Sequence, residues 1–253
     1  MKIAVFGAAG WVGRSILSNL QAHGHHVRAI DYSPTAWDAL RDLDGDWQGD
    51  ETVSGDIADY AIVDSALDGV DAVIHTAVLG SAGGGYTVNN EAPFRINLKG
   101  LWNVLEASRE RGIRRIVHVG SCQVEHPDGV FFGANVRRPD GSLYAVTKRL
   151  QEEMCRQYHE AFGMSLVVLR PCSIIDSRLG LSKYSKPLAG TWDASWVCRH
   201  DLAQACRLAA EVPGLGFEVL HTAGTKEADA FCNAALGREV LGLAYSGDLD
   251  QYR

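Results

Sequence analysis

The chain holds 253 residues, 46% of them hydrophobic, with a formal net charge of −7, which is enough apolar side chain for one full core. Its basic residues come in ones and twos and lay out no stripe for a phosphate backbone. No apolar run approaches the ~18 residues that span a bilayer and no cleavage-site pattern follows the apolar start, so neither nucleic acid nor membrane is expected as a partner and a cytoplasmic location is.

The first apolar run, residues 2–6, reads as a buried strand that stops at Gly7-Ala8-Ala9-Gly10-Trp11-Val12-Gly13 and becomes a helix. Glycines there let backbone approach a pyrophosphate, whose charge then sits on helix N-terminal N–H groups. A second strand, 26–31, ends in Asp31, an acid placed to accept both hydroxyls of a ribose. It also faces the extra phosphate of NADP, and Tyr32-Ser33-Pro34 offers no arginine to compensate. Asp56-Ile57 follows turn residues and suits an adenine edge and face. Further strands are expected at 72–76, 115–120 and 166–169, with helices between them, giving an α/β fold with a doubly wound parallel sheet of Rossmann type. We read 1–253 as one domain, with 1–170 as the dinucleotide-binding core and 171–253 as a small, mainly substrate-binding part. Two loop-like stretches, 79–93 and 176–192, follow strand C-terminal ends, where ligands bind in such sheets.

The chemistry-bearing residues lie on a helix predicted from Leu143. Tyr144 and Lys148 stand at i and i+4 and share a face, while Leu150, Met154, Tyr158 and Phe162 trace an apolar stripe. A free phenol ionises near pH ~10, so using it as a base at neutral pH takes roughly 4 kcal/mol of differential stabilisation, which a neighbouring ammonium supplies. Ser121 closes the strand at 116–120, with its hydroxyl available to a substrate oxygen. Other features read as structural. Glu152-Glu153 is an exposed helix face, and His25-His26 an exposed strand entry. His75 and His118 are core histidines with one nitrogen satisfied. Trp192 and Trp196 are packing residues or a sugar-stacking wall, and His200-Asp201 is a helix start capped by the aspartate. The six cysteines show no C-x-x-C pair or His partner at metal spacing, so reduced thiols and no metal are expected.

In order and at plausible spacing, these elements resemble the extended short-chain dehydrogenase/reductases, the family of sugar epimerases, dehydratases and sugar dehydrogenases. The resemblance rests on Gly7-x-x-Gly10-x-x-Gly13, Asp31, Asp56-Ile57, His75-Thr76-Ala77, Asn97-x-Lys99-Gly100, Ser121, Tyr144-x-x-x-Lys148 and Arg170-Pro171. It implies NAD as cofactor, held by the glycine turn with Trp11 and Val12, by Asp31, Asp56, Ile57, Thr76 and Ala77, and by Tyr144, Lys148 and Cys172. It also implies Tyr144 as the acid/base, Lys148 as its charged partner and ribose ligand, Ser121 as substrate positioner and Asn97 as support for a proton relay.

Within the family the chain looks most like the uronate dehydrogenases, through Arg138-Pro139-Asp140-Gly141, Leu169-Arg170-Pro171-Cys172-Ser173, Thr191-Trp192 and His200-Asp201. That likeness implies oxidation of a small free sugar or sugar acid at the anomeric carbon, with substrate contacts from Ser81, Ser121, Cys122, Gln123 and Ser173. Roughly a hundred residues follow Lys148, which suits a small sugar better than a nucleotide-sugar. Uronate dehydrogenases carry Asn-His where Cys122-Gln123 stand, and their carboxylate-binding arginine before Thr-Trp has no counterpart here. The nearest cations are Lys183 and Lys186, with Arg178 farther off. The alternatives are a nucleotide-sugar epimerase and a non-catalytic dinucleotide sensor, while a dehydratase needs an acid pair after the serine position that is absent. The resemblance further implies a homodimer or homotetramer paired through helices near 91–111 and 144–162.

Overall fold

A computed structural model of the chain describes residues 1–80, 91–124, 141–183 and 185–253, with the side chain of Gln123 outside the description. Seven parallel strands form the central sheet: β1 (Lys2–Phe6), β2 (His26–Asp31), β3 (Glu51–Ser54), β4 (Ala72–His75), β5 (Arg115–Val119), β6 (Ser165–Pro171) and β10 (Phe217–Thr222). Their spatial order is β10-β6-β5-β4-β1-β2-β3. The chain therefore starts in the middle of the sheet, builds outward to β3, then returns to build the other half from β4. That reversal opens a crevice at the strand C-terminal ends, where ligands bind in open α/β sheets.

Both faces of the sheet are covered, as a parallel sheet requires. On one face Ile3, Val5, Ile74, Val117 and Leu169 pack against Ile16 and Leu20 of α1 (Trp11–Ala22) and Leu202 and Cys206 of α6 (Arg199–Glu211). On the other, Ala4, Phe6, Val73, Ile116 and Val168 meet Leu101 and Leu105 of α4 (Gly100–Glu110), Val63 of α3 (Tyr60–Ala66) and Cys155 of α5 (Leu143–Phe162). Alternate residues of each strand serve opposite cores, the period of two that a pleated strand imposes.

The predicted strands form within a residue or two, and the loop at 176–192 contains more order than expected. A small sheet of order β8-β7-β9 joins β7 (Ser173–Asp176), β8 (Leu181–Ser182) and β9 (Trp196–Cys198) beyond β6. Ile175, Leu188, Trp196 and Leu249 form its own core, with Trp192 and Tyr252 packed against it. Packing accounts for both tryptophans.

The helix from Leu143 starts where expected, capped by the Ser142 hydroxyl, which accepts the Ala145 N–H at 3.2 Å, and it ends at Gly163 in the left-handed conformation. Half of the predicted apolar stripe packs inward, since Met154 and Tyr158 lie against the core, but Leu150 and Phe162 are 44% and 48% exposed. The buried face carries Thr147, Lys148, Gln151, Glu152 and Cys155. Glu152 corrects the exposed-face expectation, since it is buried and holds Arg170 in a two-pronged ion pair, Arg170 Nε donating at 2.8 Å and Nη2 at 2.5 Å. A pairwise code of charges is invisible to a hydrophobic-period argument. Asp201 likewise does not cap its helix; it lies in the first turn of α6 and accepts the Ser246 and Gly247 N–H groups at 2.9 and 3.0 Å, tying down the C-terminal segment.

Candidate active site

The crevice is a cavity of about 600 Å³ that runs over the C-terminal ends of β2, β1, β4, β5 and β6, from Tyr32 and Asp56 at one end to Tyr144, Lys148, Cys172 and Lys183 at the other. At its centre lies the glycine turn. Gly7 has φ +81°, open to glycine at little strain, and a Cβ there would stand 2.6 Å from Thr76 Oγ1. A Cβ on Gly13 would stand 2.2 Å from the Gly7 carbonyl oxygen, so α1 packs against its own turn. Gly10 is the N-cap of α1 and caps it with no side chain, which leaves the first N–H groups directed at the cavity. The Thr76 hydroxyl donates to the carbonyls of Phe6 at 2.9 Å and Gly7 at 3.1 Å and pins the turn from β4.

Asp31 closes the second side. Its carboxylate accepts the N–H groups of Ala9 and Tyr32, each at 2.8 Å. Burial raises its ionisation point from the ordinary aspartate value, and these two bonds oppose the rise. Asp56 pairs with Arg95 and accepts the Ala58 N–H at 2.9 Å. Burial works against its charge, but those partners outweigh it and hold the carboxyl low. Ile57 approaches α4 so closely that a Cβ on Gly100 would lie 2.6 Å from its methyl group. Asn103 donates to the Ile57 carbonyl at 2.8 Å and accepts from Lys99 Nζ at 2.8 Å. Lys99 and Gly100 thereby support the Asp56–Ile57 end of the crevice.

At the other end, α5 brings Tyr144 and Lys148 to the cavity wall opposite Ser121, which follows β5. Lys148 is 2% exposed, and its ammonium donates to the Val119 carbonyl at 2.9 Å and lies 6.0 Å from the centre of the Tyr144 ring. Burial pulls its ionisation down to about 7, a shift that Cys155 opposes and the charge of Lys183 reinforces. Asn97 sits just behind the lining, in a π-helical turn, Phe94–Lys99, that leads into α4. Its side chain braces two segments, accepting the Leu79 N–H at 2.7 Å and donating to Leu79 O and Thr147 Oγ1, both at 3.2 Å. Gln151 Nε2 donates to its backbone carbonyl at 2.7 Å. Beneath them His75 and His118, both fully buried, share an Nδ1 to Nδ1 hydrogen bond of 3.1 Å. Burial pushes His75 down to about 3, so the pair is neutral.

Of the predicted cofactor residues, the glycines, Trp11, Val12, Asp31, Asp56, Ile57, Thr76, Ala77, Tyr144, Lys148 and Cys172 all line this one cavity. The predicted substrate set divides. Ser121 and Lys183 are in the lining. Cys122 is 2% exposed and packs behind the wall against Ala223, Ala228 and Cys232. Ser173 faces Ser195, whose hydroxyl donates to its own at 3.1 Å. Lys186 is exposed and outside the lining, its N–H donating to Ser182 Oγ at 3.3 Å. Arg178 borders a separate polar recess with His200 and Gln251. Gln123 lies in the turn Cys122–Val124; its side chain, Ser81, and Arg138 to Asp140 lie outside the described residues.

Two arginines at the site carry no sequence signal of their own. Arg95 faces Asp56, as described. Arg199, 2% exposed, stacks 4.2 Å from the Trp11 ring, donates to both oxygens of Asp44 at 2.6 and 2.8 Å, and donates from Nε to Asp176 at 2.6 Å. It ties the glycine turn to β7.

A family model described as the NAD dependent epimerase/dehydratase family matches residues 3–185. The chain belongs to that family. Over 185 residues it is 30% identical to a 3 beta-hydroxysteroid dehydrogenase/Delta 5-->4-isomerase of Mycobacterium tuberculosis, a match covering 68% of this chain and 47% of the relative; the chain thus spans about half the length of that protein. It is 27% identical over 230 residues to a uronate dehydrogenase of Pseudomonas putida, covering 88% and 76% of the two chains. The structure of a uronate dehydrogenase variant from Agrobacterium tumefaciens complexed with NAD superposes with a TM-score of 0.74 at 26% identity, over 100% of this chain and 87% of that one. The cofactor is NAD. The residues present fit it: side chains are excluded at Gly7 and Gly13, N–H groups of α1 are uncapped beside them, and Asp31 is held at the end of β2.

Proposed function

We propose that the protein is a dehydrogenase of a small free sugar or sugar acid, oxidising it at the anomeric carbon to a lactone. The observation that carries the reading is the convergence of Tyr144, Lys148, Ser121 and Lys183 on one end of the NAD cavity. Bound NAD supplies the hydride acceptor. The Tyr144 oxygen takes the proton of the anomeric hydroxyl, and the Lys148 ammonium beside it favours the phenolate over the phenol. The Ser121 hydroxyl positions the same substrate oxygen. Asn97 holds the 79 segment and α5 in register, so that the phenol and the ammonium keep their spacing. Lys183, in the same lining, offers a cation to the carboxylate of a sugar acid. The outward stripe of α5, with Leu150 and Phe162, and Trp102 of α4 expose apolar surface that a second copy would cover, in keeping with a homodimer or homotetramer.

The test is turnover of a panel of free aldoses and uronates with NAD, followed by NADH absorbance. NADH formation with uronates, reduced selectively by Lys183→Ala while neutral aldoses are unaffected, supports the reading. Interconversion of nucleotide-sugars without net NADH, by protein purified with NAD bound, favours an epimerase. NAD binding with no turnover of any sugar favours a sensor.

A further inference from the structure

The ends of β5 and β6 bring two cysteines into one small cluster, Cys172 at the cavity wall and Cys122 behind it. Val119 of β5 pairs with Leu169 of β6, and each chain runs three residues further to a cysteine, Cys122 and Cys172. Beyond the paired strands Cys172 packs against the small cluster that contains Cys122, Ala223, Ala228, Cys232 and Ala234. The two thiols belong to one packed cluster, and no disulfide links them. Their surroundings differ. Cys172 lines the cavity that holds NAD, and its Sγ lies 3.9 Å from Ser173 Oγ, which accepts the Ser195 hydroxyl. Cys122 is closed off from solvent among Ala223, Ala228, Cys232 and Ala234, and it is bonded to the Ser121 hydroxyl.

Thiolate character follows that division. Hydrogen bonds, first among them the one from Cys122, hold the Cys172 thiol below its ordinary range, whereas the same contact and burial hold Cys122 far above it. A cavity-lining thiol with a lowered ionisation point, packed against a second thiol, is the arrangement that redox-sensitive cysteines share.

We propose that Cys172 is an oxidant-sensitive modification site whose partner is Cys122, and that oxidation closes a disulfide across the ends of β5 and β6. The oxidant is a hydroperoxide. In the first step the Cys172 thiolate attacks one peroxide oxygen: an S–O bond forms, the O–O bond breaks, and the departing hydroxide takes up a proton to leave as water. In the second, the Cys122 sulfur attacks the sulfenic acid of Cys172: the S–S bond forms, the S–O bond breaks, and the hydroxyl leaves as a second water with the Cys122 proton. Two electrons leave the sulfurs and reduce the peroxide. The bridge removes the thiol that Ser121 is bonded to and draws Cys172 away from the cavity face, so the oxidised protein binds NAD less well. NAD in the cavity shields Cys172 in turn. The proposal rests on the NAD site and is independent of which sugar is oxidised.

The experiment treats the purified, fully reduced chain with hydrogen peroxide, with and without NAD, alkylates the remaining thiols and maps the peptides by mass spectrometry. A Cys122–Cys172 linked peptide is expected as the first product. Its formation slows about tenfold when NAD stands at ten times its dissociation constant, as simple occupancy requires. NAD titrations monitored by tryptophan fluorescence should show weakened binding after oxidation and recovery after dithiothreitol. In Cys122→Ser the reaction stops at a Cys172 sulfenic acid, trapped by a 1,3-diketone, and in Cys172→Ser no linked peptide forms. A Cys172–Cys232 link, earlier oxidation of any other cysteine, or labelling indifferent to NAD would overturn the proposal, and none of these results bears on sugar turnover.

Discussion

The Lys148 ammonium donates to the Val119 carbonyl at 2.9 Å from within a core that leaves the residue 2% exposed. A charge placed so deep weakens the fold that holds it. In the unfolded chain this lysine ionises at its ordinary value of 10.5, in the fold at about 7. Between those values the unfolded chain holds a proton that the folded chain has shed, so the lysine's contribution to stability rises with pH through the window. Below about 7 the full penalty applies. Lys148→Met should therefore stabilise the protein by on the order of 5 kcal/mol near pH ~6, less the lost Val119 hydrogen bond, and the gain should fade toward pH ~10. Urea midpoints of both proteins at the two pH values check this; a variant less stable at both would mean that the Val119 hydrogen bond dominates.

In the proposed reaction Tyr144→Phe removes the proton acceptor and keeps the ring beside Lys148. NAD binding, measured by calorimetry, should stay within about threefold of the parent, while sugar oxidation falls by the ~10² or more that general-base catalysis contributes. Parent-like turnover would remove Tyr144 from the mechanism.

Asp31 has two tasks, and two substitutions separate them. Asp31→Asn keeps an oxygen for the Ala9 N–H but loses the charge that opposes the NADP phosphate, so the NAD preference should narrow by about tenfold or more, ~1.4 kcal/mol. Asp31→Ala loses the turn contact as well and should weaken binding of both cofactors. Ratios of kcat/KM for NAD and NADP distinguish the two.

Arg199→Ala leaves Asp44 and Asp176 facing one another without their shared cation, and should destabilise the fold by about 3–5 kcal/mol. Bonds from His200, Leu179 and Arg199 overcome the burial of Asp176 and hold its carboxyl well below the ordinary 3.8. Its stabilising contribution is therefore complete above pH 3.8 and is lost as the pH falls through the depressed value. In the parent, thermal midpoints should drop steeply in that acid range, and the variant should show a shallower drop from a lower starting point.

The central strands β1, β2, β4 and β5 were legible because each is a run of apolar residues ended by glycine, a histidine or an acid. β3 was not: Glu51-Thr52-Val53-Ser54 alternates polar and apolar at the sheet edge and reads as turn. β10 was missed because Phe217 to Thr222 interrupts its apolar residues with Glu218 and with His221, which finds its partner, Asn233, only in space. The glycine turn, Asp31, Tyr144 and Lys148 are set by local spacing, and the structure gathers them in one cavity. Arg199 and Glu152 answer to residues at distances of 18 to 155 in the chain, and no window on the sequence contains both ends of such a pair. The same holds for Cys122 and Cys172, whose meeting depends on strand register.

β10 supplies the outer neighbour of β6, from Phe217 beside Leu166 to Thr222 beside Pro171. When the chain is made from its N-terminus, the run Leu166-Val167-Val168-Leu169 has no partner on that side until residues 217–222 have emerged. In the interval it is an unprotected apolar edge, the kind of template on which nascent chains join one another. The wall that carries Pro171 and Cys172 is thus completed last during synthesis, and a proteolytic cut between α6 and β10 would undo it first.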